Sequence, residues 1–180
     1  MVAVNTGANE IYVAYEYDSD AFEIIDGATD NVISNYGLPN TYIVGMGVNT
    51  ATDKIYLVMW GSSLVEVVSA SGHIYQTEIP AVYSDERGGI AVNTVTNKIY
   101  VPDVGASGVV AVIAGSSDTL LVNIPAGGNG PIGAAVNTAT NRVYVTNQND
   151  NTLTVIDGAT NTIVNTVPVG TSPYFIGVLE

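Results

Sequence analysis

One unit of about 44 residues occurs four times in this chain of 180 residues. The triplet Val-Asn-Thr begins at Val4, Val48, Val92 and Val136, at a constant spacing of 44 residues. Each copy continues with an apolar residue and a tyrosine, and these tyrosines are Tyr12, Tyr56, Tyr100 and Tyr144. Each tyrosine is expected to be buried between neighbouring units. A repeat of this kind buries its apolar residues between neighbouring units, so the period constrains the fold more than any other feature.

Each unit holds four short apolar segments that are predicted to be strands. They are rich in Val, Ile and Tyr, and Gly, Asn, Asp and Ser bound them. The run Ile-Tyr-Leu-Val at 55–58 is apolar at successive positions, which indicates cover on both faces. The sequence therefore predicts an all-β propeller with four blades of four antiparallel strands each. The expected blades span approximately 1–43, 44–87, 88–131 and 132–172.

The carboxyl-terminal residues suggest an additional strand within the single propeller domain expected over 1–178. Residues 173–178 match 131–136, so they are predicted to form an extra inner strand, and Leu179 and Glu180 are typical of a cloning scar. An open array leaves two apolar faces bare. We therefore expect a homodimer, in which two chains complete one eight-bladed ring with twofold symmetry. The alternative is a four-bladed monomer, in which small inner residues such as Gly45, Gly47 and Gly89 relieve crowding.

The most regular copy also carries a recognisable motif. It reads Tyr144-Val145-Thr146-Asn147, and Val136-Asn137-Thr138 precedes it. The chain resembles the YVTN β-propeller repeat family over essentially its whole length. The resemblance implies a propeller of a surface-layer or secreted protein, and hence an extracellular or cell-surface location. It brings no catalytic residues to this chain.

Composition excludes several classes of function. The chain has 17 acidic and 4 basic residues and a formal charge of −13, so it cannot neutralise a track of phosphates, and no nucleic-acid partner is expected. Cysteine is absent, which removes disulfides, thiolate zinc sites and cysteine nucleophiles. No apolar run approaches the ~20 residues of a membrane helix, so no membrane insertion is expected.

Recognition is expected on one face of the propeller. If the strands of each blade are called A to D from the axis outward, the A–B and C–D turns are nearly constant, whereas the B–C and D–A loops vary. Loops that vary on a rigid scaffold commonly bind partners, and exposed Tyr and Trp are enriched at binding hot spots. The alternative for Trp60 and Tyr83 is packing against a neighbouring blade. The binding candidates on the variable loops are Tyr17, Asp18, Asp20, Trp60, Tyr83, Asp85, Arg87, Asp103, Asn147 and Asn149.

Catalytic and metal chemistry have few candidates. The positions expected at the axial mouth, 42–43, 88–89, 132–133 and 175–176, are apolar or glycine, so no carboxylate pair is available for acid–base work there. Glu16, Asp18 and Asp20 could hold Ca²⁺, with a solvated acidic loop as the alternative. His73, the single histidine, falls in a C–D turn and is expected to be a surface residue.

These patterns favour a non-enzymatic binding or scaffold module, which uses the variable loops to recognise a protein or a glycan and needs no cofactor. The alternative is a propeller enzyme, lyase-like or lactonase-like, or a redox-enzyme subunit, with a site at the axial mouth.

Overall fold

The predicted strands form four separate sheets, each made of four antiparallel strands in chain order. They are described here from a computed structural model over residues 1–15, 22–37, 42–60, 64–70, 75–80, 88–103 and 108–179. Every regular element in these ranges is a β-strand, and the ranges contain no helix. The prediction of an all-β propeller with four blades of four strands is therefore confirmed.

The blades follow one another along the chain. Blade 1 contains β1 (Val2–Asn5), β2 (Glu10–Ala14), β3 (Phe22–Asp26) and β4 (Val32–Tyr36). Blade 2 contains β5 (Ile43–Asn49), β6 (Lys54–Met59), β7 (Leu64–Ser69) and β8 (Tyr75–Pro80). Blade 3 contains β9 (Ala91–Asn93), β10 (Lys98–Pro102), β11 (Val109–Ala114) and β12 (Thr119–Pro125). Blade 4 contains β13 (Pro131–Asn137), β14 (Arg142–Asn147), β15 (Thr152–Asp157) and β16 (Thr162–Pro168).

The A–B turn has the same geometry in every blade. The asparagine of the Val-Asn-Thr triplet pairs with the first residue of strand B, and the turn between them ends in a residue with φ between 51° and 58°. Asn and Asp tolerate this left-handed conformation better than other residues with a Cβ. The residues that adopt it are Asn9, Asp53, Asn97 and Asn141. The recurrence of Asn and Asp at this position therefore reflects backbone geometry.

The hydrophobic core lies between blades rather than within them. We call the side of a blade that faces the next blade its trailing face, and the opposite side its leading face. Tyr56, Val58 and Val67 on the trailing face of blade 2 pack with Ile99 and Ile113 on the leading face of blade 3, and all five are fully buried. Equivalent clusters join blade 1 to blade 2 and blade 3 to blade 4. Successive apolar residues in the strands of blades 2 and 3 are buried because both faces are covered.

Within the described ranges, the blades at the two ends of the array pack against a neighbouring blade on one face only. Tyr12, Tyr56 and Tyr100 are fully buried between blades, as expected, but Tyr144 is only half-buried. Tyr144 lies on the trailing face of blade 4, and no further blade among the described residues packs against that face. Residues 173–179 follow blade 4 in an irregular conformation, so the extra inner strand expected there remains a prediction. The described segments contain no helix with the length and hydrophobicity that a membrane crossing requires.

Candidate functional site

The inner strands surround a cavity of about 550 Å³. Ile43 and Gly45 line it from blade 2, Gly89 from the segment that leads into blade 3, and Ile132 from blade 4. The positions expected at the axial mouth, with the exception of Tyr42, line this one space. Tyr174 closes another side of the cavity from the carboxyl-terminal segment.

Glycine at the inner positions allows neighbouring blades to approach closely. A Cβ placed on Gly45 would lie 2.6 Å from the carbonyl oxygen of Gly88. A Cβ on Gly89 would lie 2.9 Å from the main-chain nitrogen of Ala134. Main-chain atoms cannot move aside as a flexible side chain can, so these positions require glycine. Small inner residues were expected in the four-bladed alternative, where they relieve crowding at the axis. Gly45 and Gly89 serve contacts between neighbouring blades, so their presence does not distinguish a closed four-bladed ring from an open array.

The described side chains that line the cavity are mostly apolar. They are aliphatic, glycine and methionine residues together with Tyr174 and Phe175, and Tyr174 has the only titratable side chain among them. The N-terminal ammonium of Met1, another lining residue, donates to Ala14 O at 2.7 Å. The cavity therefore offers an apolar and aromatic surface.

An aromatic pair lies on the variable face at blade 2. The rings of Tyr42 and Trp60 meet edge to face, with centroids 5.5 Å apart and an interplanar angle of 61°. The main-chain N–H of Trp60 donates to the carbonyl oxygen of Tyr42 at 2.8 Å, which fixes the two residues together. Trp60 is 48% exposed and Tyr42 is 37% exposed. Trp60 thus presents half of its surface to solvent instead of being enclosed between blades.

A second aromatic pair lies beyond blade 4, in the segment that corresponds to a D–A loop. The rings of Tyr174 and Phe175 are 4.7 Å apart at an interplanar angle of 72°, and Phe175 is 89% exposed. Both residues line the cavity. Sequence reasoning placed Tyr42 and Phe175 at the axial mouth but did not select them as binding residues. The signal was present in the aromatic residues that precede strand A at 42 and at 174–175.

The other described candidates differ in accessibility. Asp103 and Asn147 are buried at the ends of strands B, with 4% and 0% exposure. The Nδ2 of Asn147 donates to Thr152 Oγ1 at 3.0 Å and to Thr154 Oγ1 at 2.8 Å, so this side chain ties β14 to β15. Asn149 lies in the following loop and is exposed. Of the described candidates, Trp60 and Asn149 are therefore the two that a partner can reach directly.

The remaining candidates lie outside the described residues. These are Tyr17, Asp18, Asp20, Tyr83, Asp85 and Arg87, together with Glu16 of the calcium hypothesis and His73. Within the described ranges, no three His, Asp or Glu side chains come close enough to hold a metal ion. The calcium site at Glu16, Asp18 and Asp20 stays a prediction.

Comparison with known proteins gives the fold alone. No family model and no curated protein matches the chain. A chain of Kuenenia stuttgartiensis hydrazine synthase superposes with a TM-score of 0.78 at 15% identity, covering 92% of this chain and 47% of that one. A functionally unknown protein from Desulfotomaculum acetoxidans DSM 771 superposes with a TM-score of 0.81 at 15% identity, covering 97% and 57%. The chain therefore spans about half the length of these solved structures, and the resemblance to the YVTN family depends on its own residues.

Proposed function

We propose that this chain is a non-enzymatic binding or scaffold module that recognises a protein or a glycan through the face formed by its B–C and D–A loops. The observation that carries the proposal is the Tyr42–Trp60 pair, whose rings are fixed against each other while about half of Trp60 remains exposed. A rigid exposed aromatic gives a large contact area at a small cost in side-chain entropy.

The chemistry of the axial cavity supports the same proposal. The residues that line it from the inner strands and from the segments leading into them are aliphatic or glycine, with Met46 among them. Pockets that bind small molecules are mostly apolar with a few polar groups at their rim, and planar aromatics also suit sugar rings. The extracellular or cell-surface location that we propose follows from the resemblance to YVTN repeat proteins.

The second candidate is a scaffold subunit of an enzyme. Its support is the likeness in fold to the hydrazine synthase chain. The two candidates differ in what the axial cavity should hold. A subunit that contributes to catalysis would need reactive side chains or a bound group there, whereas the proposed binding module uses the aromatic residues themselves.

Binding screens on immobilised glycans and peptides, each run with Ca²⁺ and with EDTA, test the proposed function. Trp60 is the single tryptophan, so its fluorescence reports a ligand at the variable face directly. Trp60→Ala should weaken binding by about 30-fold, the equivalent of ~2 kcal/mol for a hot-spot aromatic. The matched control is Val95→Ala, which removes an apolar residue that is 73% exposed on an A–B turn.

The outcomes separate the alternatives. Binding that falls with Trp60→Ala and not with Val95→Ala supports the proposal, and the type of array identifies the class of partner. Loss of that binding in EDTA would favour the calcium loop at Glu16, Asp18 and Asp20. A ligand whose affinity depends on Val95 and not on Trp60 would contradict the proposal.

A further inference from the structure

The two ends of the array expose surfaces that are buried everywhere else in the chain. On the trailing face, four positions are buried in blade 3 and partly exposed in blade 4. In blade 3 they are Tyr100, Val110, Val112 and Ile124, and in blade 4 they are Tyr144, Leu153, Val155 and Val167. On the leading face of blade 1, Ile11, Val13 and Ile25 are half-buried and Val4 is 55% exposed. The apolar halves of one further blade contact are therefore present, one at each end.

The basic residues show the same incomplete contact. Three of the four cations, Lys54, Lys98 and Arg142, occupy the first position of strand B at the 44-residue spacing. Lys54 Nζ donates to Asp118 Oδ2 at 2.6 Å and to Gly115 O at 3.0 Å, in the C–D turn of the next blade.

The second of these cations makes an equivalent contact. Lys98 Nζ donates to Gly158 O at 2.7 Å and to Asn161 Oδ1 at 3.2 Å, again in the next C–D turn. Arg142 stands at the end of the array and bonds Asp157 of its own blade. Its side chain is 34% exposed, compared with 16% for Lys54. A guanidinium has five donors, so Arg142 can bind a second acceptor.

A row of asparagines repeats the pattern once more. Asn49 Nδ2 donates to Asn97 Oδ1 at 2.7 Å, and Asn93 Nδ2 donates to Asn141 Oδ1 at 2.9 Å, so each bond links one blade to the next. The next donor in the row is Asn137 of blade 4, which is half-buried, and its counterpart acceptor is Asn9, exposed in blade 1.

We propose that the trailing face of blade 4 binds the leading face of blade 1 of a second copy of this chain, and that two such contacts close one eight-bladed ring. In each contact, Arg142 of one copy binds the C–D turn of the other copy at Asp30 and Gly27 O. These are the positions that Asp118 and Gly115 occupy in blade 3. Asn137 donates to Asn9 of the other copy. The apolar part of this contact repeats one that the chain makes three times internally, and its cation and asparagine bonds repeat ones that the chain makes twice. Closure leaves no apolar face bare.

The carboxyl-terminal segment has to yield part of its position. The carbonyl oxygen of Tyr174 lies beside Gly133 as that of Ile132 lies beside Gly89, so the segment begins where the inner strand of a following blade would begin. Thr146 Oγ1 donates to this carbonyl at 3.1 Å. Residues 175–179 would overlap β1 of the second copy. They are irregular, with Phe175 89% and Leu179 97% exposed, so they can move aside.

Light scattering and sedimentation equilibrium over a range of concentrations test the ring. The unsubstituted chain of 180 residues should reach twice its mass of 18.7 kDa and grow no further. Val4→Asp puts a charge into the contact at a position exposed in the single copy, so it should weaken association at least tenfold without unfolding the chain. The matched control Val95→Asp makes the same change on a turn far from either terminal face and should keep the ring.

Removal of one charge adds an independent arm. Asp30 has φ 58°, a conformation that Asn also tolerates, so Asp30→Asn removes the carboxylate without straining the turn and should weaken association at least fivefold. Asp150→Asn, on an exposed loop, makes the same change in net charge and should leave association unchanged. An unsubstituted chain that stays at 18.7 kDa at high concentration would overturn the proposal, as would open-ended growth or equal effects of Val4→Asp and Val95→Asp.

Discussion

The buried tyrosines couple the packing of the blades to pH. The hydroxyl of Tyr56 donates to Asp118 Oδ1 of the next blade at 3.1 Å, and that of Tyr12 donates to Glu10 Oε2 at 2.7 Å. Burial raises the pKa of both phenols well above the ordinary range, with a further contribution from the neighbouring carboxylates. Burial also raises the pKa of Tyr100 to about 12. The folded state therefore keeps these phenols neutral where the unfolded chain ionises them.

The first prediction is a loss of stability in alkali. An unfolded tyrosine has a pKa of about 10, so the contribution of these groups is fully present below that pH. It is lost as pH rises through the folded-state pKa values. Urea unfolding between about pH 8 and pH 11.5 should show a falling free energy of unfolding, and Tyr100→Phe should make the fall shallower. A decline of equal steepness in Tyr100→Phe would contradict this assignment.

The same tyrosines predict an unequal mutational cost. Tyr56→Ala should lower the free energy of unfolding by roughly 3–5 kcal/mol, the range for large-to-small aromatic changes in a core. Tyr144→Ala should cost less than half as much when both changes are measured in the Val4→Asp background at a dilution where light scattering finds a single copy. Tyr144 is only half-buried there, because no blade covers it. Equal losses at the two positions would mean that blade 4 is covered in the single copy.

At the scale of the structural element, the side chain of Asn93 makes three hydrogen bonds in and beyond its A–B turn. Asn93 Oδ1 accepts from the N–H groups of Val95 and Thr96 at 3.0 Å each, while its Nδ2 donates to Asn141 of the next blade. Asn93→Ala should therefore cost about 2 kcal/mol, since it removes three hydrogen bonds that are typically worth about 0.5–1.5 kcal/mol each. Asn137→Ala, the same change in the half-buried turn of blade 4, should cost less in the Val4→Asp background. Thermal and urea unfolding of the pair check the difference, and the reverse order of losses would refute it.

The inner strands carry a prediction about close approach. Gly89→Ala should destabilise the chain by about 1–3 kcal/mol, because the new methyl group meets the main chain of blade 4 and overpacks a rigid contact. Gly177→Ala is the matched control, since nothing lies within 4 Å of a Cβ at that position. The control should change the urea midpoint little. A tolerated Gly89→Ala would show that neighbouring inner strands are farther apart than described.

At the scale of the whole molecule, the period alone was enough to predict the architecture. Because the Val-Asn-Thr triplet and its tyrosine recur every 44 residues, the strand order and the A–B turns could be read from any one copy. The burial of Asp103 and Asn147 could not be predicted from the sequence, since it depends on how deeply the end of each strand B lies in the folded chain. Asn147, for example, is enclosed because Gly128 packs closely against its side chain. A Cβ on Gly128 would lie only 2.6 Å from that side chain.

The polar contacts between blades were missed in sequence reasoning, although a signal existed. Lys54, Lys98 and Arg142 share the 44-residue spacing, but the repeat was followed only through its apolar and turn residues. Which acceptor each cation reaches depends on the packing of the next blade. Trp60 was selected from the sequence as a binding candidate on the variable face, and that role stays a prediction, while its ring contact with Tyr42 became visible only in the structure.

A single crosslinking measurement tests most directly whether the two terminal faces recognise each other between chains. The chain has no cysteine, so Asn9→Cys with Asn137→Cys places the only two thiols on opposite ends of the array. Asn93→Cys with Asn141→Cys is the control, because these residues already bond within one chain. Treated with a short bis-maleimide and run on a denaturing gel, the control should give an internally linked single chain. The Asn9–Asn137 variant should give a covalent pair of chains, whereas an internally linked single chain, or no link at all, would contradict the two-chain ring.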